Sequence, residues 1–257
     1  MTLHELTNDK SPSKCSYFFI WLKVIIHVFA GALTLLFIFP LIGQSQKDHK
    51  VRWWSKRLLK IFNLKLIVSG LEGVGSPPAL FAANHISWLD IHAINACKPI
   101  RFVAKSEVKS WPIFGWMAKQ LGTVFIRRDS ARHARQVVEQ MAEVLKTESI
   151  CIFPEGTSTN GAQVLAFKPN LFESALVSKS QIYPISIRYI CDSTGLRADA
   201  PAFTGEMGLL ESMARVIASR GLTVYVHFLS RYSENVSGEL GRKAVAVYCQ
   251  ESIAQTL

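Results

Sequence analysis

A run of five apolar residues, Ala79-Leu80-Phe81-Ala82-Ala83, leads directly into Asn84-His85-Ile86-Ser87-Trp88-Leu89-Asp90 and then into Ile91-His92-Ala93-Ile94-Asn95-Ala96. The first run reads as a buried strand and the last as the start of a helix. A histidine therefore stands where a strand ends, and an aspartate stands about one helical turn later. In α/β folds, ligands and reacting groups collect at the carboxyl ends of the strands. A carboxylate there can hold one imidazole nitrogen and leave the other free as a base. On its own a His–Asp pair of this spacing is common and often structural, so the rest of the chain has to decide its meaning.

Short apolar runs alternate with helical patterns along the chain. Strands are expected at 64–69, 79–83, 100–104, 123–127, 150–153, 182–190 (interrupted by Pro184) and 222–229. Helices are expected at 88–97, after Ser106 as a cap, from Asp129 to about Thr147, after Lys168 with Pro169 in the first turn, and over 206–219 and 239–255. The pattern is that of an α/β protein with a central, mostly parallel or mixed sheet flanked by helices.

Ahead of that body lies an apolar segment. Val24–Ile42 is nineteen residues with one histidine and no formal charge, close to the ~20 residues a helix needs to cross a bilayer. It is too long for the apolar core of a secretory signal, and no small-x-small cleavage site follows it. Pro40 could break it, so a spanning helix and a helix that dips into one leaflet both fit. Lys47, Lys50, Arg52, Lys56, Arg57 and Lys60 follow, with Trp53 and Trp54 among them, as expected for a basic amphipathic helix at the cytoplasmic membrane–water boundary. The organisation expected is a flexible start over 1–15, a membrane anchor and basic helix over 16–62, and a body over 63–257 facing the cytoplasm.

Charge supports that placement. The net charge is +10, but residues 1–65 carry +7 of it and the other 192 residues only +3. A basic excess beside an apolar segment suits an anionic membrane surface. A nucleic-acid binder needs a basic stripe on its folded domain, and none is visible. Five scattered cysteines (15, 97, 151, 191, 249) without a CxxC pair indicate a reducing compartment, and no histidine has metal-site spacing with a nearby Cys or Glu.

Four stretches fall at or near strand ends: residues 84–90, Gly122-Thr123-Val124-Phe125-Ile126-Arg127-Arg128, Phe153-Pro154-Glu155-Gly156-Thr157-Ser158, and Ile182-Tyr183-Pro184-Ile185-Ser186-Ile187. In this order and spacing they resemble the glycerolipid acyltransferases of the 1-acylglycerol-3-phosphate (lysophosphatidate) acyltransferase family. The resemblance covers roughly residues 64–230, with a motif core over 79–190. Phe102-Val103-Ala104-Lys105-Ser106-Glu107 and Pro112-Ile113-Phe114-Gly115 fit it too.

The resemblance implies transfer of a fatty acyl group from acyl-CoA or acyl carrier protein to the hydroxyl of 1-acyl-sn-glycerol 3-phosphate, forming phosphatidate, with the bilayer as a partner and no cofactor or metal. His85 is then the general base and Asp90 its orienting carboxylate, a division of labour that acyl transfer to an alcohol requires on chemical grounds. Ser87 lies outside any G-x-S-x-G elbow, so no acyl-enzyme is expected; it reads as a helix cap. Asn84, Lys105, Gly122, Arg128, Pro154, Glu155, Gly156, Thr157, Ser158 and Pro184 are the implied substrate-binding positions. Arg128 is the cation for an anionic head group, Glu155-Gly156-Thr157 binds the acceptor, and Pro184 shapes an acyl groove with Tyr183 and Ile185. Arg127 is expected on the opposite strand face from Arg128.

One position departs from the family pattern. The third motif commonly ends in an arginine implicated in phosphate binding, and Ser158 stands there instead. Loss of a bidentate phosphate partner points to a second acceptor, a lyso-ornithine lipid or another lysolipid. A catalytically silent lipid-binding protein and a soluble metal hydrolase are more remote readings.

Overall fold

The computed structural model describes residues 14–76, 78–126, 131–219, 221–233 and 241–257. Seven strands form one sheet in the order β1-β7-β6-β2-β5-β3-β4. They are β1 (Leu64–Ser69), β2 (Ala79–Ala83), β3 (Arg101–Lys105), β4 (Val124–Ile126), β5 (Ile150–Ile152), β6 (Gln181–Cys191) and β7 (Leu222–Phe228). Neighbours are parallel everywhere except β6 and β7, which run antiparallel. The sheet is therefore mixed. Every residue of β2 is buried, as a central strand with both faces covered must be.

Helices cover both faces. α1 (Lys14–Leu33), α2 (Gln44–Ile61), α3 (Leu89–Cys97) and α7 (Leu209–Ala218) contribute to or pack against one core, which includes Phe62, Phe81, Ile94, Tyr189 and Val224. α5 (Ala131–Val144), α6 (Glu173–Ser178) and α8 (Arg242–Ala254) enclose the other around Leu80, Met141, Ile150 and Cys249. α4 (Phe114–Gln120) lies between β3 and β4.

Most expected elements stand within a residue or two of their places. The strand around Pro184 is uninterrupted. Pro184 pairs with Ala82 on one side and accepts a hydrogen bond from Leu229 N–H (3.0 Å) on the other. The antiparallel register with β7 begins only at Ile185–Phe228, so the donor that proline lacks falls where β7 has already ended. Ser106 does not cap an α-helix. Residues Ser106–Ser110 form a short 3₁₀ turn, and the Ser106 hydroxyl donates to Glu107 Oε2 (3.0 Å). Asp129, the expected start of the next helix, lies outside the described residues, and α5 (Ala131–Val144) is described from Ala131.

The apolar segment is helical from Cys15 to Leu41, long and apolar enough to cross a membrane. Its α-helix loosens into a π turn at Thr34–Ile38 and a 3₁₀ turn at Phe39–Leu41, where Pro40 interrupts the ladder. One side docks on the body. His27 and Trp54 of α2 stack at 4.5 Å and exchange bonds: His27 Nε2 with Trp54 O (3.0 Å), and Trp54 Nε1–H to His27 O (3.2 Å). Gly31 makes this approach possible, since a Cβ there would stand 2.5 Å from Trp54 Nε1. The opposite side, with Phe18, Ile25, Phe29 and Phe37, is exposed.

Candidate active site

The site grows from the end of β2. The strand pairs with β6 as far as Ala83–Ile185, and the Asn84 side chain then continues the ladder. Its Nδ2 donates to Ile187 O (3.0 Å) and its Oδ1 accepts from Ile187 N–H (2.8 Å). This amide fixes the point at which the chain leaves the sheet, one residue before His85.

Asp90, in the first turn of α3, is fully buried and turns back over that junction. Its Oδ2 accepts from Ile86 N–H (2.8 Å) and Ser87 N–H (2.9 Å) and lies 2.9 Å from His85 Nδ1. Its Oδ1 accepts the Tyr189 hydroxyl at 2.8 Å. An oxygen that receives two backbone donors must be an acceptor toward the ring as well, so Nδ1 carries the proton and Nε2 holds a lone pair. Nε2 has no hydrogen-bond partner among the described residues, and the His85 side chain keeps 21 % of its surface accessible while that of Asp90 keeps none. Burial, and next the Asp90 charge, push the Tyr189 phenol well above its ordinary range, so it stays a donor.

The loop after β5 holds the histidine from the other side. Glu155 Oε1 accepts from His85 N–H (2.7 Å), and Oε2 accepts from Leu165 N–H (2.9 Å). Thr159 N–H donates to His85 O (2.8 Å). The Phe153 ring stacks on the imidazole at 4.0 Å and 18°. Burial raises the Glu155 carboxyl above the ordinary range, and its two backbone donors oppose that rise. Gly156, at φ +75°, turns the chain sharply enough for its own N–H to reach Phe153 O (3.0 Å).

His85 opens on a cavity of about 1390 Å³ between the sheet end and the α1–α2 pair. Phe153, stacked on the histidine, lines it with Trp88 and Met213, and Phe39 and Trp54 line it as well. That volume exceeds the usual ~300–1,000 Å³ of a small-ligand pocket and suits a long-chain ligand.

The expected binding residues divide into two sets. Lys105, Gly122, Gly156, Thr157 and Ser158 line this cavity with His85. Gly122, at φ +76°, lets the Arg101 guanidinium lie where a Cβ would meet it at 2.8 Å. The Ser158 hydroxyl is bonded to Phe203 O. Asn84, Pro154, Glu155 and Pro184 are buried and absent from the cavity wall, as are Tyr183 and Ile185. Pro184, expected to shape an acyl groove, does not line this cavity, because an interior strand between β2 and β7 places these side chains in the core. Arg128 and Arg127 lie outside the described residues. Ser87 bonds locally, its Oγ accepting from Leu89 N–H at 3.3 Å, but the N-cap position of α3 is Trp88, not Ser87.

Tyr189, Thr159 and Phe153 carry the geometry without having been singled out in sequence. Phe153 lay inside a recognised motif. Tyr189 sits on β6 beyond the fourth motif, and no local pattern marks it.

A family model described as acyltransferase matches residues 65–188. A lyso-ornithine lipid O-acyltransferase of Pseudomonas aeruginosa is 35 % identical over 212 residues, which is 82 % of this chain and 79 % of that one. A 1-acyl-sn-glycerol-3-phosphate acyltransferase of Neisseria gonorrhoeae is 38 % identical over 167 residues, 62 % of this chain and 64 % of that one. The crystal structure of PlsC, the 1-acyl-sn-glycerophosphate acyltransferase of Thermotoga maritima, superposes with a TM-score of 0.69 at 21 % identity, covering 94 % of this chain and 92 % of its own, so the two share a fold. With the His–Asp pair at the sheet end and these relatives, the chain belongs to the acyltransferase family that includes the 1-acylglycerol-3-phosphate and lyso-ornithine lipid enzymes.

Proposed function

We propose that the protein transfers a fatty acyl group from a thioester donor, acyl-CoA or acyl carrier protein, to the hydroxyl of a membrane lysolipid, with 1-acyl-sn-glycerol 3-phosphate as acceptor and phosphatidate as product. The observation that carries this is the imidazole held by Asp90 through Nδ1, with Nε2 free on a cavity that runs to an apolar helix. Nε2 takes the proton of the acceptor hydroxyl as its oxygen attacks the thioester carbonyl carbon. The carbon–sulfur bond then breaks, and the imidazolium returns the proton to the leaving thiolate. Asp90 stays ionised throughout and stabilises the imidazolium. The cycle uses His85 twice, first as base and then as acid, and needs no acyl-enzyme.

The exposed apolar side of α1 supports insertion into a bilayer, with the docked side holding the cavity at the lipid surface. Arg57, whose guanidinium lies 5.6 Å over the exposed Trp53 ring, supplies an interfacial anchor of the kind found at the cytoplasmic boundary. The body then faces the cytoplasm, where both donors are available.

Ser158 favours a second acceptor. It lines the cavity with a short hydroxyl already bonded to Phe203 O, so it offers no cation to a phosphate. A lyso-ornithine lipid does not require one there, and the Pseudomonas relative carries that activity in its name. Membranes holding the protein, given labelled oleoyl-CoA and both acceptors in parallel, decide the matter. Preference for the phosphate acceptor means that Lys105 or Arg128 meets the head group. Preference for the ornithine lipid overturns the phosphatidate assignment and keeps the chemistry.

A further inference from the structure

Away from His85, the wall of the cavity is cationic and incompletely neutralised. Among the described residues, two acidic side chains line it, Asp48 and Glu148. Glu148 is held bidentately by Arg101, and Asp48 Oδ1 accepts from Gln44 (2.8 Å). Lys98 and Arg52 also line the cavity, and the side chain of neither has a hydrogen bond or ion pair among the described residues. They come from packed elements. Arg52 stands on α2, and Lys98 follows the last residue of α3, the helix that α2 packs against. Lys98 is half-buried. Its burial, and then the charge of Arg52, lower its affinity for a proton, and Asp48 opposes this only in part. Of the two, Lys98 is partly desolvated and Arg52 is exposed, so an anion that joins them would relieve the repulsion felt by Lys98.

Position says which anion. α3 begins at the catalytic end, where Asp90 holds His85, and Lys98 follows its far end. Nine residues of helix span about 14 Å. The acceptor's own head group lies only a few bonds from its reacting hydroxyl and cannot reach that far. A thioester donor differs, because its phosphates sit at the end of an extended pantetheine arm. We propose that Arg52 and Lys98 form an anion subsite that binds the phosphate esters of the acyl donor's carrier while the thioester lies at His85. This rests on the acyl-transfer reading and adds the donor's place in it.

The test compares oleoyl-CoA with S-oleoyl pantetheine, which has the same thioester and arm but no phosphate, on wild type, Arg52→Gln, Lys98→Gln, the double variant and the control Lys60→Gln. Wild-type turnover with either donor establishes the underlying reaction, and its absence with both counts against that reading before the subsite is reached. The expected result is a KM for oleoyl-CoA raised tenfold or more in the double variant. The KM for S-oleoyl pantetheine, the KM for the acceptor, kcat, and all values of Lys60→Gln should be unchanged. Equal shifts for the two donors, or none, overturn the subsite. Bilayer head groups are the other source of phosphate esters. Loss of binding to vesicles containing phosphatidylglycerol, but not to pure phosphatidylcholine vesicles, with donor KM unchanged, would assign the pair to lipid and overturn the donor role.

Discussion

The Tyr189 hydroxyl donates to Asp90 Oδ1 at 2.8 Å, joining β6 to the start of α3 across 99 residues of sequence. The other oxygen of Asp90 is shared by His85 and two backbone donors. Tyr189→Phe leaves a buried carboxylate oxygen short of its donor, at a cost of about 1–3 kcal/mol. If the loss acts on the orientation of His85, kcat falls about tenfold, since 1.4 kcal/mol is one decade of rate. The acceptor KM should hold, because Tyr189 does not line the cavity. Steady-state kinetics on Tyr189→Phe checks this, and a changed KM with normal kcat would contradict a positioning role.

Glu155 is expected to act through the backbone of His85. A glutamine presents one carbonyl oxygen where two N–H groups now find carboxylate oxygens, so either His85 N–H or Leu165 N–H faces an amide nitrogen. Glu155→Gln should lose stability by about 1–3 kcal/mol and lower kcat more than it raises KM. Denaturant unfolding beside kinetics measures both. The pH dependence has a definite sign. The folded carboxyl holds its proton above the ordinary 4.5, so the native state binds more protons than the unfolded one just above that pH. Stability from this group therefore declines as pH rises through that window, and the decline should vanish in Glu155→Gln.

His92 gives the opposite slope. It lies among Trp54, Trp88 and, beyond Trp54, His27, with its Nδ1 buried and without a partner among the described residues, and burial lowers it from 6.5 to about 4. Between those values the unfolded chain binds a proton that the folded one refuses, so stability falls as pH drops from 6.5 to 4. The full window is worth up to about 3 kcal/mol. His92→Phe should flatten the profile of melting temperature against pH over this range.

The exposed side of α1 carries the membrane prediction. Phe29→Lys places a charge on a face where Phe29 is 64 % exposed, without disturbing the His27–Trp54 contact on the other side. A charge buried among acyl chains costs about 2.5–3.5 kcal/mol on insertion scales. The variant should move from the membrane fraction toward the soluble fraction, while Lys60→Gln should not.

How much of this was legible in the sequence follows from which interactions are local. β2 was readable because burial on both faces makes it uniformly apolar. His85 and Asp90 were readable because the pair lies within five residues, the span over which a helix start can bring them together. Glu155 was visible as a residue, but its work was not. Its partners are N–H groups 70 residues back and 10 residues on, and a sequence does not display backbone donors. Asn84 was hidden in the same way by its pairing with Ile187. Pro184 misled because proline in a strand usually marks an edge or a break, and only the register with β7 shows that its missing donor has nothing to meet. Tyr189 depends on β6 lying beside β2, a fact of topology.

The most direct measurement is acyl transfer from labelled oleoyl-CoA by membranes carrying His85→Ala, matched to wild type for protein amount, with 1-acylglycerol 3-phosphate and lyso-ornithine lipid both supplied. Removing a general base costs about 10²–10⁴-fold, so transfer to the preferred acceptor should fall by at least a hundredfold. Transfer at the wild-type rate would contradict the assignment of His85 as the base and, with it, the mechanism proposed for this site.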